Sequence, residues 1–455
     1  MQIGIKSLGC PKNLVDTELL CGKLREKGYQ ISGRIDNSDI VVINTCSFIR
    51  DAVEESIEEI LNLVKLKKEG KIKYIIVTGC LPQRYKDNNL RRELPEVDAF
   101  LGVENILEID EVIERILQGE QIYKIDPEPY FIYNHKTPRI NMTPQHYAYI
   151  KISEGCQNNC SYCLIPTIRG KYRSRKIEDI IEEVKILSQN QNLAEIILIG
   201  QDTTLYGIDL YGQYKLAELL KKLSLLELKN LKWIRLLYTH PAHYNDELIE
   251  VIANSPKICP YLDLPLQHIS DKILKRMNRQ VDKESIISLI KKLRNRIPNL
   301  TLRTTFMVGF PGETEKDFEE LLDFVKEIRF EKLGAFAFSK EEGTQAYQFS
   351  TQIPKRIKQK RLERLMLTQQ EISKEINYSY LGKKVEVLID ELSLDTPKFA
   401  IGRTQGDAPE IDGRVIVETD KVHPGEFIKV NIVETAEYDL IGEIKDYKGH
   451  NLTNL

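Results

Sequence analysis

Residues 155–163 read Gly155-Cys156-Gln157-Asn158-Asn159-Cys160-Ser161-Tyr162-Cys163, three cysteines at spacing CxxxCxxC directly after an extended run, Tyr147–Ile152. Thiolates are soft ligands suited to iron–sulfur clusters, zinc and copper(I). Ferredoxin-type loops use two-residue gaps and supply four cysteines per cluster. Here there are three, and no fourth cysteine or histidine follows nearby. Three thiolates on a four-iron cluster leave one iron open to an external ligand. A zinc knot short of a ligand, or three packed thiols, would be the alternative, but Gln157, Asn158, Asn159 and Ser161 do not read as core.

Outward from this loop the chain alternates strand and helix, an α/β pattern. Strands are expected at Tyr147–Ile152, Glu195–Ile199, Trp233–Tyr238, Tyr261–Leu266, Leu302–Val308 and Leu333–Phe338. Helical patterns separate them at Ile177–Leu187, Lys215–Leu228, Asp246–Ala253, Lys283–Asn295 and Glu315–Ile328. Six such units predict an open, partial (βα)6 barrel with its chemistry at the C-terminal strand ends. Polar residues and glycines gather there: Gly200-Gln201-Asp202-Thr203-Thr204, Tyr238-Thr239-His240, Gln267-His268 and Gly309–Thr314. Gly200 permits close approach of a ligand to the backbone. Arg303, a charge in an apolar strand, either faces the barrel interior and holds a carboxylate or sits in an edge salt bridge. His240 and His268 read equally well as satisfied structural histidines. Thr314 with Asp317 reads as a helix N-cap.

Upstream the pattern is strand–Cys, helix, strand–Cys, helix, strand–Cys, with Cys10, Cys46 and Cys80 each following a strand. An alternating βαβαβ run implies parallel strands with right-handed crossovers. Their C-terminal ends share one edge, where open α/β sheets place ligands. The three cysteines are therefore expected to converge on a second cluster site. Cys21, inside the first helix, and Cys259, before the fourth barrel strand, lack partners and read as packing residues.

Residues 119–146 lack periodicity and are expected to be a linker. The basic stretch 355–380 reads as a helix with a solvated face. From Leu381 short alternating strands split by Asp412-Gly413 and Pro424-Gly425 suggest a small β-barrel. It carries 9 Lys+Arg against 15 Asp+Glu between 381 and 455, which would repel a phosphate backbone and attract a basic protein. The expected division is 1–125 for the N-terminal domain, 126–144 for the linker, 145–378 for the core and 379–446 for the barrel. At 455 residues and net charge −3 the whole chain shows no basic character calling for nucleic acid. No apolar run approaches a membrane span. The start Met1–Lys6 reads as a strand, not a signal peptide, and eight cysteines without secretory features point to a reducing cytoplasm.

The CxxxCxxC loop resembles that of the radical S-adenosylmethionine (AdoMet) superfamily, in which the open iron chelates AdoMet and reduction releases a 5′-deoxyadenosyl radical. The three-part order resembles the methylthiotransferases throughout: a three-cysteine N-terminal domain, a radical AdoMet core and a C-terminal TRAM β-barrel. Within them, Ser7-Leu8-Gly9-Cys10-Pro11-Lys12-Asn13-Leu14-Val15-Asp16 and Asp407-Ala408-Pro409-Glu410-Ile411-Asp412-Gly413 look like the RimO branch, which methylthiolates the β-carbon of an aspartate in ribosomal protein uS12. They look less like the tRNA-modifying MiaB branch. The resemblance implies two 4Fe–4S clusters, one on Cys156, Cys160 and Cys163 and one on Cys10, Cys46 and Cys80, with AdoMet as second cofactor. Tyr162, Gly200, Gln201, Asp202 and Arg303 are the candidate AdoMet contacts; no catalytic residue is expected beyond the cluster ligands. A tRNA adenosine methylthiotransferase is the alternative enzyme, and an iron–sulfur scaffold or electron carrier the alternative without catalysis.

Overall fold

The computed structural model describes residues 1–87, 89–393, 399–419 and 421–444. Residues 445 and 446, at the end of the expected C-terminal domain, lie outside the described residues. Three sheets carry the chain. The first holds β1 (Gln2–Ser7), β2 (Gln30–Ser32), β3 (Ile40–Thr45), β4 (Tyr74–Gly79), β5 (Ala99–Leu101) and β6 (Ile122–Lys124) in the order β2-β1-β3-β4-β5-β6. Every neighbouring pair is parallel. The β-branched run Ile40-Val41-Val42-Ile43 is buried throughout, as a parallel strand covered on both faces must be. From β1 the chain goes to β2 on one side and then to β3 on the other, so the sheet has its switch point between β1 and β3. The ends of β1 and β3 there lead into Cys10 and Cys46, and Cys80 follows β4 at once. Three strands of this sheet (β2, β5 and β6) were not expected from the sequence; each is three residues long, too short to show a period.

The central sheet pairs β7 (Tyr147–Lys151) with β10 (Glu195–Ile199), β11 (Trp233–Leu236), β12 (Ile258–Asp263), β13 (Thr301–Val308) and β14 (Lys332–Ala337), in the order β14-β13-β12-β11-β10-β7 and all parallel. β7 and β14 are its edges, so the barrel is open. A short antiparallel pair, β8 (Ser153–Glu154) with β9 (Arg173–Ser174), ties the two ends of the cysteine loop together. β12 begins three residues before the expected Tyr261, and the apolar Leu264 and Leu266 lie in the buried segment beyond its end. Thr314 caps helix Glu315–Ile328 in a capping box with Asp317, as expected.

The third sheet is a closed barrel of β15 (Lys384–Leu392), β16 (Phe399–Arg403), β17 (Val415–Glu418), β18 (Phe427–Thr435) and β19 (Leu440–Glu443), ordered β15-β16-β17-β19-β18. It docks on the central sheet through buried charge. Glu195 at the start of β10 accepts from Arg235 Nε at 2.7 Å and from Arg403 of β16. Trp233 stacks edge-on against Phe427 at 4.9 Å. Lys332 pairs with Asp407 at 2.6 Å, and Tyr261 donates to Asp412 at 2.7 Å. Part of the barrel's acidic surplus is therefore consumed in holding it to the core.

Two further expectations change. The segment expected as a linker is packed: Tyr133 is buried, and the Arg139 guanidinium joins Glu18 of the first domain (2.6 Å) to Glu183 of the second (2.6 Å). Helix Lys355–Tyr378 is solvated along only part of its basic face: Lys355, Arg356 and Lys360 are exposed, whereas Arg361 is buried against Glu313 at 2.8 Å and Arg364 holds Glu315 and Glu319. Cys21 and Cys259 sit in apolar clusters, as packing residues should. No helix among the described residues is long and apolar enough to cross a membrane.

Candidate active site

A single cavity of about 510 Å³ lies between the N-terminal sheet and the open barrel, and all six cysteines singled out above line it. Each triad is positioned by a different device. Cys10 precedes helix Pro11–Glu26 at its N-cap, Cys46 follows β3, and Cys80 opens helix Cys80–Arg84. Gly9, at φ +90°, lets the backbone pass Cys46: a Cβ there would stand 2.7 Å from the Cys46 Cβ. The second triad is carried by the loop between β8 and β9. Gly155, at φ +74°, brings the loop's start so close to the far arm that a Cβ would meet the Lys171 carbonyl oxygen at 2.2 Å. Backbone N–H groups of Asn158 and Ile165 point at the sulfurs of Cys156 and Cys163, both at 3.4 Å.

Burial pushes most of these thiols up: Cys156 to about 11, Cys80 to about 12, and Cys46 and Cys163 in the same direction. Cys10 is the exception. Burial raises it too, but the Lys12 ammonium, the Asn13 N–H and Arg169 together bring it below the ordinary thiol value. Dry thiols of this kind give up their protons when a metal takes the proton's place. All six are free of disulfides. The donor set therefore fits two three-cysteine clusters.

The cavity also presents polar atoms with nothing to bind. Gln201 Oε1, Gln267 Oε1 and Arg279 Nε are buried without a hydrogen-bond partner, and all three residues line it. Orphaned buried groups are costly, and a polar ligand such as AdoMet would satisfy them. Gln201 donates through Nε2 to Glu154 at 2.5 Å, which fixes its amide. The Asp202 carboxylate accepts from Asn158 at 2.7 Å and Thr204 at 2.6 Å. Burial raises it, but the hydrogen bonds from His243 and Thr204 outweigh that and hold it below the usual carboxylate range. Tyr162, between two of the cysteines, packs edge-on against Phe310 at 6.4 Å.

Two of the expected AdoMet contacts stand elsewhere. Gly200 does not line the cavity; what approaches its backbone is the Ser153 side chain, 2.5 Å from where a Cβ would be. Arg303 does face inward, but its guanidinium is held by Asp263 at 2.8 Å and Asp412 at 3.5 Å, in a separate cavity beside the C-terminal barrel. His240 stacks on His243 at 4.8 Å, and His268 lies buried 3.6 Å from Glu313.

Sequence reasoning gave no role to Lys12, Arg169 and Arg279, and placed Tyr238 only among the polar residues at the strand ends. Arg169 is the hinge of the site: it donates to Cys80 Sγ at 3.3 Å and Asp16 at 2.6 Å, and also to Asn13. Lys151 binds Asp16 and, at 2.7 Å, Glu154. This buried network locks helix Pro11–Glu26 of the first domain to the cysteine loop of the second. The one local signal for Arg169 was a charge placed directly after the largely apolar run Leu164–Ile168.

Known proteins match in the same three parts. The Radical SAM superfamily model covers residues 150–325, that of Uncharacterized protein family UPF0004 covers 2–102, and the TRAM domain covers 381–444. The ribosomal protein uS12 methylthiotransferase RimO of Clostridioides difficile (strain 630) is 47% identical over 445 residues, 98% of this chain and 99% of that one. The protein of the same name from Caldanaerobacter subterraneus subsp. tengcongensis is 50% identical over 442 residues, 97% and 99% of the two chains. This chain belongs to the RimO methylthiotransferase family. As a RimO-family protein it is a radical AdoMet transferase, using a 4Fe–4S cluster and AdoMet. Its fold is also that of the radical AdoMet methyltransferase TsrM from Kitasatospora setae, with TM-score 0.54 at 13% identity over 84% of this chain and 78% of that one.

Proposed function

We propose that this chain methylthiolates an aspartate of ribosomal protein uS12, and that both cysteine triads hold clusters that take part. The observation that carries this reading is the opening of six free cysteines, in two sets of three, onto one cavity. Relatives named for uS12 at near-full length support the substrate over a tRNA adenosine. An electron carrier would have no use for a cavity with unsatisfied polar atoms.

In this reading Cys156, Cys160 and Cys163 hold the cluster that binds AdoMet, and Cys10, Cys46 and Cys80 hold the second. Bound there, AdoMet supplies a radical able to take hydrogen from an unactivated carbon, a step no side-chain base can perform. The chain's own residues orient and enclose. Tyr162, Gln201 and Asp202 line the AdoMet end, with Gln201 Oε1 open to a donor. Gly200 serves by letting Ser153 brace that strand end, and Arg303 by docking the C-terminal barrel. Arg169 keeps a positive charge beside Cys80 and excludes water between the domains. The functional division is 1–125, 126–144, 145–378 and 379–446. In this reading the protein acts in the cytoplasm on a basic protein, which the remaining acidic face of the barrel would favour over nucleic acid.

The test is a pair of variants assayed anaerobically with AdoMet and a strong reductant. Cys46→Ala should keep 5′-deoxyadenosine release and lose the methylthio product, with roughly half the iron of the parent. Cys160→Ala should lose both activities. Thiolation by Cys46→Ala would overturn the role of the second triad.

A further inference from the structure

The charges around the cavity do not balance, and the imbalance is local. Its acidic residues are engaged: Asp202 as described, and Glu341 with Arg84 at 2.8 Å and the Arg50 N–H at 2.8 Å. Among its cations, Arg169 is saturated by Asp16 and Glu154. Two are not. Arg279 donates to the Pro265 carbonyl and reaches Cys160 Sγ at 3.9 Å, so it belongs to the AdoMet end. Lys12 is the other. It is only 9% exposed, and its ammonium lies 3.2 Å from the centroid of the Tyr238 ring. Among the described residues no carboxylate lies within 4.0 Å of it, and it makes no hydrogen bond.

The Cys10 thiol is the strongest acidic influence on this ammonium, ahead of Glu154 and Asp263, and a cluster would draw on that sulfur; an ammonium buried with no carboxylate paired to it is expensive, and a ring face recovers only part of the loss. Lys12 also stands in the first turn of helix Pro11–Glu26, whose N-terminal end favours anions. Its place is beside Cys10 on one domain and over Tyr238 on the other, whereas Arg279 stands at Cys160. Two ligand carboxylates must enter this cavity if the proposed function is right: that of AdoMet and that of the aspartate.

We infer that Lys12 is the residue that recognises the substrate aspartate, its ammonium pairing with the side-chain carboxylate so that the neighbouring β-carbon faces the cavity between the two cysteine triads. Tyr238 holds the ammonium in place while the site is empty and forms one wall of the aspartate pocket. Lys12 is thus a positioning and specificity residue. It selects an acidic side chain over its neutral isostere, and it takes no part in bond making. The inference rests on the uS12 reading given above.

The test compares uS12 with uS12 whose modified aspartate is replaced by asparagine, using reconstituted enzyme carrying Lys12, Lys12→Gln or Lys12→Arg. Product is followed by mass spectrometry to give kcat/KM, and binding of each uS12 form is measured by interferometry. The parent enzyme should prefer aspartate by at least about tenfold, as a charge-assisted hydrogen bond allows. Lys12→Gln should raise KM for the aspartate form and bring the preference close to one, and Lys12→Arg should restore it. Iron per chain should stay at the parent value in Lys12→Gln. If Lys12→Gln keeps the aspartate preference, or loses activity together with about half its iron, Lys12 serves the cysteines and the inference is wrong. A parent enzyme that modifies no uS12 aspartate would instead refute the substrate reading itself.

Discussion

Replacing Glu195 by Gln should loosen the C-terminal barrel from the core. Glu195 and Arg235 are both fully buried, and Glu195 is the only carboxylate paired with Arg235 among the described residues. Arg403 keeps Asp390 at 3.0 Å, and Arg235 keeps the Gln405 carbonyl at 2.7 Å, so part of each guanidinium stays satisfied. Leaving one buried charge uncompensated costs about 3–5 kcal/mol, and the surviving bonds put this case at the lower end. With a urea slope of about 1–3 kcal/mol per M, the midpoint should fall by at least about 1 M. The single tryptophan reports it directly, because Trp233 packs on Phe427 across that interface. Urea titration followed by Trp233 fluorescence is the assay. Replacing the group together (Glu195→Leu, Arg235→Met, Arg403→Met) should recover most of the loss, since well-packed apolar residues can substitute for buried ion clusters. A midpoint within about 0.3 M of the parent for Glu195→Gln would show that the interface does not depend on this charge.

Other outcomes follow from the same geometry. Gly9→Ala forces a Cβ to 2.7 Å from that of Cys46 at a backbone φ of +90°; iron should drop towards half and the methylthio product should vanish while 5′-deoxyadenosine persists, and normal iron content would contradict this. Burial and the Arg279 charge hold the His240 imidazole at about 2, far below its ordinary 6.5. The unfolded imidazole then binds a proton below about pH 6.5 that the folded one refuses, so stability is complete above that pH. It declines on acidification by up to about 1.4 kcal/mol per pH unit. His240→Gln should shrink the loss of urea midpoint between pH 7 and pH 5; an unchanged loss would place its origin elsewhere.

What was legible in the sequence was what repeats locally. Strand–cysteine alternation announced the convergence of Cys10, Cys46 and Cys80, because parallel topology carries each cysteine to the same edge whatever the separation. Glu195–Ile199 and the Thr314 cap were readable from five residues and from four. Long-range pairings were not. Arg303 stood out as a charge in an apolar strand, but its partners, Asp263 and Asp412, come from another strand and another domain. The run Asp407–Gly413, read from the sequence as a family-like signature ending in a turn, is an inward clamp on Lys332, Tyr261 and Arg303. Lys12 carried no local signal, since nothing near it in the chain shows that Tyr238, more than 200 residues away, completes its pocket.

The most direct measurement offers anaerobically reconstituted enzyme uS12 and bulk tRNA side by side, with AdoMet and a strong reductant, and weighs both products by mass spectrometry. The account predicts one methylthio group on one aspartate of uS12 and none on tRNA. Addition to a tRNA adenosine, or 5′-deoxyadenosine release with neither product, would contradict it.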